Sequence, residues 1–175
     1  MKPIAISLML AVCVLGQGQR AVSDRARTRM EREVRHELVM LPYYGLFDNL
    51  AFRVDGTTVT LLGQVTRPGL REAAGRVVKE IEGVENVENQ IETLPISFND
   101  DRIRLATYRA IFGHAALNRY ALQALPSIHI SVKNGNVTLE GVVDSQNDRN
   151  IAGLQANSVS GVFSVTNNLR VENQS

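Results

Sequence analysis

The side chains that most often perform catalysis or bind metals are few in this chain and widely separated. Glu140, Asp144 and Asp148 lie close together, but their spacing does not match a calcium-binding loop. Asp144 or Ser145 fits better as the N-cap of a following helix. The three histidines are too scattered to suggest a shared metal site: His36, His114 and His129. We therefore predict no metal site and no cofactor.

Covalent catalysis is not indicated either. No serine or cysteine occupies a nucleophile elbow, and no glycine-rich loop precedes a helix as a phosphate-binding loop requires. An acid, a base and a nucleophile cannot be assembled from the remaining residues. The sequence predicts a protein that is not an enzyme.

A binding surface is indicated on one helix in the second half of the chain. Successive helical residues advance by about 100°, which places Leu105, Tyr108 and Phe112 together on one side. The opposite side carries the residues that we expect to face a sheet: Ile103, Ala106 and Ala110. A helix that is apolar on both faces must bury both, so the second face needs a further contact.

Three contacts are open for that second face. It could pack against the first half of the chain, insert into an anionic membrane interface, or dock a partner protein. Nearby arginines favour the membrane and partner hypotheses, whereas Asp101 at the edge of the stripe opposes lipid binding. The predicted lipid- or partner-binding residues are Leu105, Tyr108, Arg109 and Phe112, with the aromatic rings inserting shallowly and the arginine meeting phosphate.

The elements that position this helix occur twice. Residues 59–65 read VTLLGQV, and residues 137–143, which lie 78 positions later, read VTLEGVV. The same register continues without a gap, so that Gly83, Val84, Val87, Asn89 and Ile91 correspond to Gly161, Val162, Val165, Asn167 and Leu169. The chain is therefore a tandem duplication of a unit of modest size.

Each unit is predicted to run helix, strand, strand, helix, strand. In the first unit, residues 24–41 form an amphipathic helix that Pro42 ends, and Asp55 and Gly56 join two strands as a tight hairpin. Pro68 begins the second helix and Gly83 ends it.

The second unit follows the same order. Asn99 or Asp100 is expected to cap its first helix, and Gly113 to end that helix. Residues 114–126 are less regular, and a turn over residues 133–136 joins the two strands.

The N-terminus has the features of an export signal. A lysine precedes a short apolar run and then small and polar residues, and the run is too short to span a bilayer comfortably. We expect residues 1–21 to be a cleaved signal peptide, in preference to a lipid anchor on Cys13. Without Cys13 the mature chain has no cysteine, which fits a periplasmic protein without disulfides.

The charge balance gives little support to nucleic-acid binding. The formal net charge is +1, and neither unit carries the strong basic excess that phosphate backbones select. We predict no nucleic-acid partner.

The repeated residues resemble the BON domain, which is named for bacterial OsmY and nodulation proteins. In the second unit the matching pattern is Ile130-x-Val132, Asn134-Gly135, Val137-Thr138-Leu139-x-Gly141-x-Val143, Arg149, Ala152 and Gly161-Val162-x-x-Val165-x-Asn167-x-Leu169. In the first unit it is Val54, Gly56, Val59-Thr60-Leu61-x-Gly63-x-Val65, Arg71, Ala74 and Gly83-Val84-x-x-Val87-x-Asn89-x-Ile91. The first unit departs from the pattern after Gly56, where Thr57 and Thr58 follow. The resemblance implies structural glycines, an exported protein that contacts phospholipid, and no catalytic residues.

The predicted fold class is α+β, with two tandem αββαβ sandwich domains, each a three-stranded sheet covered by two helices. Domain 1 is expected over residues 22–94, a linker over 95–98 and domain 2 over 99–175. The predicted function is a non-enzymatic cell-envelope protein that associates with an anionic phospholipid surface and supports envelope integrity or stress tolerance. The alternative is a protein-interaction module that scaffolds a periplasmic or outer-membrane complex.

Overall fold

The computed structural model describes residues 13–123 and 125–172. Within these residues the protein has an α+β fold with four α-helices and two mixed sheets. The first repeat contains α1 (Cys13–Val39), β1 (Asn49–Asp55), β2 (Thr58–Val65), α2 (Pro68–Lys79), β3 (Asn86–Asn89) and β4 (Glu92–Thr93). The second contains α3 (Phe98–Phe112), β5 (Ile128–Lys133), β6 (Asn136–Val143), α4 (Gln146–Asn157), β7 (Ser164–Asn167) and β8 (Arg170–Val171). The predicted tandem αββαβ architecture is confirmed.

The predicted signal peptide falls largely on residues 1–12, which lie outside the described residues. Among the helices over residues 13–123 and 125–172, none combines the length and the hydropathy that crossing a membrane requires.

The central strand of each sheet is the one that carries the repeated VTL motif. β2 pairs antiparallel with β1 and parallel with β3 and β4. In the same way β6 pairs with β5, β7 and β8. The predicted third strand is therefore present in each repeat as two short segments.

A repeated asparagine holds the point where the third strand is interrupted. Asn167 donates its amide to the carbonyl of Arg149 (2.7 Å) and accepts the N–H of Leu169 (3.2 Å). Gly153 makes room for this contact, because a Cβ there would lie 2.8 Å from the Asn167 amide nitrogen. Asn89 and Gly75 repeat the arrangement in the first half. The asparagine shared by the two halves thus ties the third strand to the second helix.

The two hydrophobic cores lie between each sheet and its helices. The first core receives the stripe that the amphipathic pattern predicted on α1: Met30, Val34, Leu38 and Leu41. The second core includes residues of α3, α4 and the short 3₁₀ helix Asn118–Leu122. The segment between α1 and β1 also packs on the second core through Leu46 and Phe47.

That segment joins the two repeats. The N–H of Ile130, on the edge strand β5, donates to the carbonyl of Leu46 (2.8 Å). Tyr44 stacks on His129, with ring centroids 5.5 Å apart and an interplanar angle of 21°. The repeats therefore share a backbone hydrogen bond and a stacked ring pair.

We expect His129 to make the stability of this junction depend on pH. Burial lowers the pKa of His129 below its ordinary value of 6.5, although Asp48 and Glu140 favour the charged form. The folded state therefore binds fewer protons than the unfolded state, so stability should fall as the pH drops below about 6.5. In urea unfolding at about pH 7.5 and about pH 5, His129→Phe should lose less stability than the parent protein. Equal losses would show that the imidazole is not the titrating group.

Candidate functional site

The α3 helix begins and ends at definite caps. Ser97 is the N-cap and accepts the N–H of Asp100 (3.2 Å), while Gly113 is the C-cap. The cap expected at Asn99 or Asp100 therefore lies two to three residues earlier. Asp100 instead turns inward, because its carboxylate accepts the N–H groups of Asn134 (2.9 Å) and Gly135 (2.8 Å).

The buried face of α3 differs from the predicted one. Ile103, Thr107 and Ile111 are fully buried, whereas the expected inward residues Ala106 and Ala110 are only half-buried. Arg104 is also buried and donates to the carbonyl of Val132 (2.9 Å) at the end of β5. The helix is thus rotated relative to the prediction, since it packs on both its own sheet and the first repeat.

Two of the four predicted site residues are covered by other parts of the protein. Phe112 is 7% exposed and belongs to the second core. The half-buried Tyr108 lies between Phe112 (ring centroids 5.1 Å apart) and Phe47 of the first repeat (6.5 Å, edge to face). Packing against the first half of the chain, one of the three alternatives for this face, accounts for the Tyr108 ring, while the Phe112 ring packs within the second core. Phe112 is not placed where it could insert into a bilayer.

The other two predicted residues belong to an exposed stripe, which we call the α3 stripe. Leu105 is 48% exposed and Arg109 is exposed. Phe98, which is 92% exposed, and Arg102 lie on the same side of the helix, because positions separated by four, seven and eleven residues share a face. The α3 stripe therefore alternates apolar and cationic residues: Phe98, Arg102, Leu105 and Arg109.

Sequence reasoning missed Phe98 because it assigned residues 95–98 to a linker. The signal was the seven-residue spacing between Phe98 and Leu105, which equals two helical turns. Ile96 was missed for the same reason and is 95% exposed just before the N-cap.

The charge on the α3 stripe is positive and uncompensated. Arg102 hydrogen-bonds only the neutral Asn99 side chain (2.9 Å), and Arg109 has no side-chain partner in the part of the chain that the structure describes. Asp101 forms an ion pair with the buried Arg104, so its carboxylate is neutralised. The residue that opposed lipid binding in the sequence therefore has its own cationic partner, although its side chain is 56% exposed.

A groove of about 410 Å³ runs beside the stripe, between the two repeats. Its apolar lining includes Leu105, Ile96, Leu94 and Phe47. Leu94 still belongs to the first sheet, because its N–H donates to the carbonyl of Val65 (2.8 Å). The groove thus extends the apolar surface of the stripe towards the first repeat.

The acidic residues near the start of α4 form a structural network. Arg119 donates to Asp144 (3.0 Å) and to the buried Asp148 (2.7 Å), and the Tyr120 hydroxyl also donates to Asp148 (2.9 Å). Ser145 caps α4 by accepting the N–H of Asp148 (3.1 Å). Over residues 13–123 and 125–172, no three His, Cys, Asp or Glu side chains are grouped so that they could share a metal ion.

Comparisons with known proteins agree with the duplicated fold. The family model described as "BON domain" matches residues 28–95 and 114–173. Osmotically-inducible protein Y of Escherichia coli (strain K12) is 30% identical over 135 residues, which cover 71% of this chain and 62% of that protein. The chain therefore spans less than two thirds of the length of this relative.

Two solved structures of CdsD, a structural protein of the Type III secretion system of Chlamydia trachomatis, are also similar at 12% identity. The first covers 81% of this chain and 96% of that one with a TM-score of 0.28, and the second covers 83% and 94% with a TM-score of 0.29. Scores this low support no statement about function. The two family matches, by contrast, account for most of the chain and follow its two repeats: this chain belongs to the BON domain family.

Proposed function

We propose that this protein is a non-enzymatic cell-envelope protein that associates with anionic phospholipid surfaces through the α3 stripe and supports envelope integrity or stress tolerance. The observation that carries the proposal is the exposure of Phe98 and Leu105 in line with Arg102 and Arg109. Membership in the BON family and similarity to an osmotically inducible protein support the envelope or stress role. They also point to a protein that is not an enzyme.

The energetics of the α3 stripe suit reversible association with a membrane. Moving a large apolar side chain fully out of water is worth about 1.5 to 3 kcal/mol. An arginine close to an anionic surface adds about 1 kcal/mol, and salt weakens this attraction. Two apolar and two cationic side chains together favour an interfacial contact that is moderate in strength and sensitive to salt.

The location of the protein is part of the proposal. Lipid contact in the envelope requires export, and the predicted signal peptide over residues 1–21 would provide it. We therefore propose a periplasmic protein.

A scaffold that binds an envelope protein is the second candidate. The groove between the repeats favours it, because a concave apolar surface with Arg104 and Asp101 at its edge is suited to a protein side chain. This candidate uses the same side of α3 as the lipid proposal. The two are therefore distinguished by offering the protein lipid and protein partners separately.

The first test is co-sedimentation of residues 22–175 with neutral and with anionic liposomes at low and moderate salt. We expect pelleting with anionic liposomes only, and less of it as the salt concentration rises. Phe98→Ser should weaken binding by about tenfold, because the ring is the largest apolar group on the stripe. Met40→Ser is the matched control, since Met40 is an exposed apolar residue of the first repeat.

The outcomes separate the two candidates. Equal losses in the Phe98 and Met40 variants would contradict the site assignment. An absence of pelleting under every condition, combined with recovery of a partner by pull-down without lipid, would favour the scaffold.

A further inference from the structure

The two repeats allow a direct comparison of the turn between the second helix and the third strand. Gly83 and Gly161 begin these turns, both with a φ of 91°. Two residues later, the N–H of Glu85 donates to the carbonyl of Thr57 (2.9 Å), and the N–H of Phe163 donates to the carbonyl of Gly135 (2.8 Å). Glu85 and Phe163 therefore make the same backbone hydrogen bond to the hairpin of their own repeat.

Their side chains have different surroundings. The Glu85 carboxylate accepts a hydrogen bond from the Thr57 hydroxyl (2.9 Å), which suits a water-exposed turn. The Phe163 ring is 85% exposed. Since the first repeat builds the same turn with a glutamate, the fold does not require an aromatic ring at this position.

The turn that carries Phe163 adjoins the start of α3. A Cβ added to Gly161 would lie 2.9 Å from Nη2 of Arg102, and one added to Gly135 would lie 3.7 Å from Cβ of Phe163. The carboxylate of Asp100 binds the same hairpin tip through Asn134 and Gly135. The α4–β7 turn, the β5–β6 hairpin tip and the first turns of α3 thus meet at one end of the second repeat.

Three polar groups of the α4–β7 turn, including the N–H of Phe163 itself, are paired within the protein. In addition to the N–H of Phe163, the N–H of Val162 donates to the carbonyl of Val159 (3.2 Å). The Ser164 hydroxyl donates to the side-chain oxygen of Asn136 (2.7 Å). Entry into an apolar phase is costly for unpaired backbone groups, so this pairing lets the ring enter at little cost.

From these observations we infer that Phe163 is a further membrane-inserting residue outside the α3 stripe, so that the end of the second repeat contacts the bilayer at two points, the stripe and the α4–β7 turn. The inference rests on the proposed function. The occupant is an anionic phospholipid interface, because Arg102 and Arg109 supply uncompensated positive charge on the adjoining helix. The corresponding turn of the first repeat carries Glu85, which an anionic surface repels, so the second repeat faces the membrane.

The experiment uses the absence of tryptophan from this chain, which gives a single added tryptophan no background. F163W and E85W, each in the chain from residue 22 onwards, are mixed with vesicles of phosphatidylcholine alone or with phosphatidylglycerol. We expect the emission of F163W to shift to shorter wavelength with anionic vesicles and to be quenched by lipids brominated on their acyl chains. E85W should show neither change while pelleting to the same extent.

A charge variant gives a second readout. Phe163→Glu reproduces the first repeat at this position and should weaken vesicle binding by about tenfold, because a ring is lost and a repelled charge is gained. Its urea unfolding should match that of the parent protein, since the turn keeps its backbone hydrogen bonds.

The outcomes distinguish the inference from the proposed function. Pelleting of F163W without a shift or quenching, or with changes equal to those of E85W, would overturn the inference and leave the proposed function standing. Failure of both variants and the parent protein to pellet would overturn both. A shift of F163W with a soluble periplasmic extract, but not with vesicles, would identify a protein interface and overturn the inference.

Discussion

Phe112→Ser is expected to unfold the second repeat or to reduce its free energy of unfolding by about 3 to 5 kcal/mol, the usual cost of truncating a buried phenylalanine. Phe112 is 7% exposed, and its ring lies 5.1 Å from that of Tyr108. Removing it leaves a cavity in the second core and loosens the contact that Tyr108 makes with Phe47. Urea denaturation followed by circular dichroism would measure the loss.

The matched control for this prediction is Leu105→Ser. Leu105 lies two helical turns before Phe112 on α3 but is 48% exposed, so its replacement should change the free energy of unfolding little while weakening vesicle binding. If the Phe112 variant kept the parent stability and lost vesicle binding, Phe112 would be a contact residue, as its place in the sequence stripe suggested.

Asp100→Ala is expected to cost about 1 to 3 kcal/mol, the usual cost of a buried donor that loses its partner, because the N–H of Gly135 is buried. The Asp100 carboxylate is the acceptor for the N–H groups of Asn134 and Gly135, in a turn where Asn134 has a φ of 53° and Gly135 of 76°. Without the carboxylate, both N–H groups lose their acceptor in a hairpin turn that needs two consecutive residues with positive φ.

Glu72→Ala controls for the removal of a carboxylate. Glu72 is an exposed residue of α2, so its loss should change the urea midpoint little. Hydrogen exchange at the amides of Asn134 and Gly135 should accelerate in the Asp100 variant and stay unchanged in the Glu72 variant. Unchanged exchange in both would contradict the assigned role of Asp100.

The sequence determined the repeated architecture because local patterns encode it. The VTL strands, the hairpin glycines and the amphipathic stripe on α1 each carry a periodicity or a turn preference that is readable residue by residue. The duplication strengthened every assignment by showing it twice. The helical spacing on α3 named Leu105 and Arg109 as lipid- or partner-binding residues; both are exposed in the structure, and their binding stays a prediction.

Which apolar residues remain in water could be read only from the packing of distant segments. The pattern on α3 grouped Leu105 with Tyr108 and Phe112, but Phe112 is buried in the second core and Tyr108 packs between it and Phe47, while Leu105 stays exposed. Phe98 was assigned to the linker but is the more exposed of the two apolar residues of the α3 stripe. Asp100 was a candidate helix cap but binds the β5–β6 hairpin of the same repeat. Periodicity reports only the faces of a single element, whereas burial depends on which distant segment packs against each face, and that is settled by contacts between residues far apart in the chain.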